Sequence, residues 1–159
     1  MAVTSLKEES VAERLKANFG DVLSWAYVKP RRLRVLVERN RLSDVALYLK
    51  NELGFDHVAS VSGVDYPGEN VFEVVYHATS YSDETLRSII FALVTRMPRN
   101  DPTIDSLTGV WKSAEYHERE TFEMFGIIFK GHPKLERLLL PEDWRDIPPL
   151  RKDFRLYGR

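Results

Sequence analysis

Pro133, Pro141, Pro148 and Pro149 interrupt the last part of this 159-residue chain. Each removes a backbone N–H donor and fixes φ, so neither a central strand nor a long helix can run through that stretch. The chain therefore divides into a core, residues 1–130, that must supply the whole fold, and a C-terminal arm, residues 131–159. The arm carries Leu138-Leu139-Leu140 and Trp144 and is too apolar to stay simply disordered. It has to lie against something, either its own domain or a partner. Eight basic side chains against five acidic ones follow Gly126, an excess that an acidic partner surface would complement.

Within the core, periodicity predicts an α+β fold, with a mixed or antiparallel sheet and flanking helices. Ser5 and Glu8 read as a capping box for a first helix that Gly20 ends. Val22–Val28 and Leu33–Val37 read as strands around the Lys29-Pro30-Arg31-Arg32 turn, and Leu42–Leu53 as a second helix. His57–Val64 and Val71–Ala78 form a predicted hairpin across a turn-rich link. Thr85–Met97 has a helix's length but β-favouring Ile89, Ile90, Phe91 and Val94, and reads as a strand stopped by Pro98. Trp111–Phe125 is the clearest helix, with Gly126 just past its end.

Several classes of function are excluded or disfavoured. A formal charge of −1 gives no reason to expect nucleic acid as a partner. The cluster Lys29, Arg31, Arg32 and Arg34 lacks interleaved aromatics and reads as a guard on a strand edge. Without cysteine there are no disulfides, no thiol catalysis and no thiolate ligands for an iron–sulfur cluster. No apolar run approaches the roughly 20 residues of a membrane helix, and the acidic N-terminus does not resemble a signal peptide, so a soluble or peripheral, cytoplasmic protein is expected. His117-Glu118 lacks the second histidine of a zinc-protease motif, since Thr121 stands there. No phosphate-binding glycine loop and no GxSxG elbow occurs.

On a helical wheel, Trp111, Ala114, Phe122 and Phe125 share an apolar face, while Lys112, Glu115, Arg119 and Glu123 form a charged stripe, solvated or part of a salt-bridged interface. Glu118 falls on the apolar face. A carboxylate there must be paired, protonated or at an interface, and a buried ion pair with an arginine is the expected arrangement. Glu120 projects from the far side as a solvated or partner-facing acid.

The run Glu118-Arg119-Glu120-Thr121-Phe122-Glu123-Met124-Phe125-Gly126-Ile127, with Gly131-His132-Pro133 after it, resembles the signature of the 30-kDa subunit family of NADH–quinone oxidoreductase (respiratory complex I). Gly63-Val64-Asp65-Tyr66-Pro67, Arg99-Asn100-Asp101-Pro102, Arg137-Leu138-Leu139-Leu140-Pro141 and Leu150-Arg151-Lys152-Asp153-Phe154 continue the likeness over roughly residues 55–155. The Asp146-Ile147-Pro148-Pro149 run departs from the family's tail.

The resemblance implies a protein without redox centre or catalytic residue of its own, in the peripheral arm of a complex I-like, ion-translocating oxidoreductase on the cytoplasmic side of the membrane. It implies as partners a hydrogenase-like large subunit and small iron–sulfur subunits, which with their flavin or deazaflavin neighbours would carry the cofactors. Glu118, Arg119, Glu120, Gly126, His132, Arg151, Lys152 and Asp153 are then signature or ion-pair residues, and Leu138, Leu140, Trp144, Leu150 and Phe154 the partner interface. The same role in an archaeal reduced-deazaflavin dehydrogenase or a membrane-bound [NiFe] hydrogenase is an open alternative. The rivals from other classes are a hydrolase using Glu118, Glu120 and His117, and a transient assembly factor.

Overall fold

The computed structural model describes residues 6–156, so the Ser5 half of the capping box lies outside the described residues. Helix α1 (Leu6–Phe19) leads into a hairpin of β1 (Leu23–Lys29) and β2 (Arg32–Val37). Pro30 and Arg31 make its two-residue turn, with Arg31 at φ 61°, and the Arg31 N–H donates to Glu8 at 2.7 Å. After a single 3₁₀ turn come α2 (Leu42–Asn51), β3 (His57–Tyr66), β4 (Val71–Thr79) and β5 (Ile90–Pro98). A short β6 (Thr103–Asp105), helix α3 (Ala114–Phe125) and β7 (Ile128–Lys130) complete the regular structure. Residues 131–156 contain turns and bends but neither helix nor strand.

The main sheet has the order β1-β2-β5-β4-β3. Neighbours are antiparallel except β2 and β5, which run parallel from Arg32↔Ile90 to Val37↔Thr95, so the sheet is mixed. Period-two alternation sends Leu33, Val35 and Val37, Phe91 and Leu93, Phe72, Val74 and Tyr76, and Val58 and Val61 to one face. There they form one core with Val11 and Leu15 of α1, Val45 and Leu49 of α2, and Ala114 and Phe125 of α3. All three helices thus cover the same side. Among the described residues the other face holds a small apolar cluster, Val75, Ala92 and Val94 with Leu36 against it, beside Glu73 clasped between Arg34 and Arg96.

Two expectations about the elements are corrected. The strand begins at Ile90, not Thr85, because residues 85–89 are held in turns. The Asp83 side chain accepts the Thr85 N–H at 2.8 Å and its carbonyl accepts the Leu86 N–H at 3.1 Å, a local arrangement that competes with the ladder. The third helix begins at Ala114, not Trp111. Trp111 lies in the turn before it, fixed by its indole N–H donating to the Phe55 carbonyl at 2.7 Å. Of the basic cluster, Lys29 lies on the edge strand β1, while Arg32 and Arg34 belong to β2, one strand in.

Candidate functional site: the signature helix and the tail it holds

Gly126 ends α3 in the left-handed conformation, φ 78°, and its N–H donates to the Phe122 carbonyl at 2.8 Å. On the helix, Gly63 of β3 lets the Phe125 ring come close: a Cβ at that position would lie 2.6 Å from the ring. This contact sets the rotation of α3 on the sheet and so decides where its charged residues point.

Glu118 points into the core and is 0% exposed. No arginine meets it among the described residues. The Tyr76 hydroxyl donates to it at 2.9 Å, the Ser106 hydroxyl at 2.6 Å and the Leu107 N–H at 2.8 Å. Burial pushes its carboxyl above the ordinary range, against the pull of those hydrogen bonds, and burial together with Glu118 raises Tyr76 further still. The expected ion pair is replaced by a neutral donor set because β6 and β7 bring the loop at Ser106 over the helix.

Arg119 and Glu123 are also buried, at 8% and 4% exposure, so this half of the charged stripe is not solvated, whereas Lys112 is exposed and Glu115 half-buried. The tail covers Arg119 and Glu123. Arg119 donates from Nε to the Glu136 carbonyl at 3.0 Å and from Nη2 to the Arg137 carbonyl at 3.2 Å. One turn further on, the Glu123 carboxylate accepts the N–H groups of Leu138, Leu139 and Leu140 at 2.9–3.1 Å. A cation thus binds consecutive carbonyls and an anion binds consecutive amides of one tail segment. His132 adds a third tie, with Nδ1 accepting the Lys134 N–H at 3.0 Å and Nε2 placed 3.0 Å from the Glu115 carbonyl, an arrangement that fits the neutral Nε2–H tautomer.

The end of the tail is fastened at a second place. Arg151 forms a two-pronged bridge to Asp153 at 2.7 and 2.9 Å, which holds the Asp153 carboxyl down at about 2. Arg99 reaches Asp65 at 3.0 Å and Asp153 at 3.3 Å, and Asp65 also accepts the Lys152 N–H at 2.8 Å. The Arg99 and Arg151 guanidiniums both lie over the Phe72 ring, at 5.5 and 5.6 Å. Three separated motifs, those at Asp65, at Arg99 and at Arg151-Lys152-Asp153, converge in this cluster. Pro148 packs over Gly126, and the Leu150 N–H donates to the Met124 carbonyl at 3.0 Å.

Of the five residues expected to face a partner, Leu138 and Leu150 are exposed. Leu140, Trp144 and Phe154 are half-buried, the last two rings packing 5.8 Å apart. Leu139 and Leu156, not singled out from the sequence, are 63% and 67% exposed and extend the apolar surface of the tail.

The hydrolase constellation does not assemble. Glu118 is spent inside the core, whereas His117 and exposed Glu120 line a groove with Ser60 and Ser62 of β3. Ser60 lies 3.0 Å from His77 Nδ1, but burial, helped by the Arg34 charge beside the ring, pushes His77 below its ordinary value. The carboxylate that orients the imidazole and stabilises the imidazolium in a Ser-His-Asp triad is absent among the charges at His77, which are Arg34 and Arg32. Among the described residues no three His, Asp or Glu side chains gather into a metal-binding group.

The family model described as "Respiratory-chain NADH dehydrogenase, 30 Kd subunit" matches residues 35–159. The C subunit of the F(420)H(2) dehydrogenase of Methanosarcina mazei is 42% identical over 146 residues, covering 91% of this chain and 90% of the relative. The C subunit of the NADH-quinone oxidoreductase of Roseiflexus sp. (strain RS-1) is 46% identical over 155 residues, covering 96% and 86%. A chain of the membrane-bound sulfane sulfur reductase, an archaeal respiratory membrane complex, superposes with a TM-score of 0.81 at 26% identity, over 96% of this chain and 88% of that one. A trypsin-resistant fragment of Nqo5 gives 0.68 at 29% identity, over 82% of this chain and all of the fragment. The chain belongs to the 30-kDa subunit family of complex I-like oxidoreductases. Among the described residues no helix is long and apolar enough to cross a membrane.

Proposed function

We propose that this chain is a structural clamp, without a redox group of its own, in the peripheral arm of a complex I-like, ion-translocating oxidoreductase on the cytoplasmic side of the membrane. Its occupant is a hydrogenase-like large subunit, with small iron–sulfur subunits nearby. Those neighbours supply the iron–sulfur clusters and the flavin or deazaflavin, since this chain has no thiolate to offer. The observation that carries the reading is the tail fastened at two points, by Arg119 and Glu123 near its start and by Asp65 and Arg99 near its end. Between and beside these ties the side chains of Leu138, Leu139, Ile147 and Leu150 are turned to the outside. A segment held by its backbone while its apolar side chains stay exposed is suited to bury them against another protein.

A deazaflavin-oxidising assembly is the second reading, favoured by the extent of the match to the Methanosarcina protein, 90% of that relative's length. A membrane-bound hydrogenase is a further setting for the same clamp. Tagging the chain in its host, solubilising membranes mildly and weighing the co-purifying material tests the proposal. A complex of several subunits with iron–sulfur EPR signals and stoichiometric tagged chain is expected, and its donor specificity identifies the assembly. A lone monomer under conditions that preserve such complexes overturns the clamp, and a substoichiometric amount points to an assembly factor.

A further inference from the structure

The two edges of the main sheet are treated differently. β1 carries a bulge between Trp25 and Tyr27 and ends at Lys29 with Pro30 in the turn after it, features that discourage another strand from joining. β3 is the longest strand and forms the opposite edge, yet from Ser60 to Val64 it has no proline and no charged side chain. Beyond the bulge between Val58 and Ser60, its residues alternate between pointing their polar backbone towards β4 and away from it. The Thr121 hydroxyl approaches the Val61 carbonyl from outside at 3.4 Å and fixes the phase there, while before the bulge the Val58 N–H donates outward to the Ser113 hydroxyl at 3.1 Å. Val61 and Gly63 therefore turn their N–H groups away from the sheet, and no strand pairs with them among the described residues.

A groove of about 450 Å³ runs along this edge, with Ser60, Ser62 and Gly63 on one side and His117, Glu120 and Met124 of α3 on the other. Leu150 of the tail closes one end. Glu120 is exposed, is the only carboxylate in the lining, and makes no ion pair among the described residues. From Ser60 to Gly63 the edge is about 10 Å long, enough for three or four residues in extended form.

We propose that this groove is a β-augmentation site: an extended segment of a neighbouring protein in the assembly pairs with the outer edge of β3. Its main chain accepts from the Val61 N–H and bonds to Gly63, the Val61 carbonyl staying with the buried Thr121 hydroxyl; a lysine or arginine faces Glu120, and an apolar side chain rests on Met124 and Leu150. This goes beyond the clamp, which uses the tail, and rests on the proposed membership of a complex only for the source of the strand.

The test is amide hydrogen exchange on the full chain, once alone and once within the complex isolated from its host. Slowing of Val61 and Gly63 by at least tenfold on assembly, with Ser60 and Ser62, already bonded to β4, changing less, is expected. Glu120→Lys should lower the chain's retention in the complex severalfold while Glu120→Gln lowers it little, since Lys adds repulsion against the basic residue. Equal exchange in both states, with co-purification intact, overturns the groove and leaves the clamp standing. Concentration-dependent protection in the isolated chain assigns the edge to a second copy and overturns the partner strand. Failure to find the chain in any complex overturns the clamp and this proposal together.

Discussion

Glu118 is buried among donors that a neutral side chain can also satisfy. A glutamine there would accept from Tyr76 and Leu107 through its oxygen and donate to the Ser106 hydroxyl through its amide. Glu118→Gln is therefore expected to change stability by no more than about 1 kcal/mol, and Glu118→Ala to cost about 3 kcal/mol by orphaning those donors and leaving a cavity. Denaturant unfolding of the full chain at pH 7 reads both. The pH dependence has a definite sign. The carboxyl is held above its ordinary value of 4.5, so its contribution to stability is complete below that value and is lost as pH rises through the raised one. Glu118→Gln should flatten the stability curve over that window, and an unchanged slope would mean the group is solvated. The wheel placed Glu118 inside correctly. What it could not place was the partner, because the loop at Ser106 reaches the helix through the short β6–β7 pair.

At the scale of the element, α3 is a helix that has part of its polar surface, at Arg119 and Glu123, covered by its own chain. Its existence, its end at Phe125 and its terminating glycine were legible in the sequence, but its start and the burial of Arg119 and Glu123 were not, since a charge pattern at i,i+4 looks the same under solvent or under a tail. The signal lay downstream, in a proline-broken segment with no ladder to satisfy its backbone groups. β6 escaped notice for a related reason: three residues are too few for alternation to register. Glu123→Ala is expected to speed amide exchange at Leu138, Leu139 and Leu140 by tenfold or more, at a cost of about 1–3 kcal/mol. Exchange at Leu150 and Lys152 should change less, because Met124 and Asp65 hold those amides separately. Equal acceleration at all five would show that the tail lifts off as one piece.

The whole molecule separates what folds it from what the proposed clamp would use. Leu139 is 63% exposed and its side chain is not part of the core; its N–H, which the Glu123 carboxylate accepts, is kept by any substitution other than proline. Leu139→Asp is expected to leave the midpoint of denaturant unfolding within about 0.5 kcal/mol of the parent while reducing the fraction of chain recovered in the membrane complex. A variant that assembles normally would remove Leu139 from the docking surface. The overall α+β architecture was readable because five β-favouring segments bounded by turn residues and the spacing in three helices agree on one core. The strand order was not readable, because β2 finds its neighbour in β5 by a parallel contact that no local pattern announces.

That contact also sets a timetable. The β1–β2 hairpin is synthesised early, but the strand it must lie beside arrives roughly sixty residues further on, whereas β3, β4 and β5 follow one another directly. The meander can close while the hairpin still waits on the ribosome, so the nucleus should lie in β3–β5 and the hairpin should dock late. In stopped-flow kinetics, Val74→Ala is expected chiefly to slow folding and Val35→Ala chiefly to hasten unfolding. The apolar edge of a hairpin awaiting its neighbour is then the surface most in need of a chaperone during synthesis.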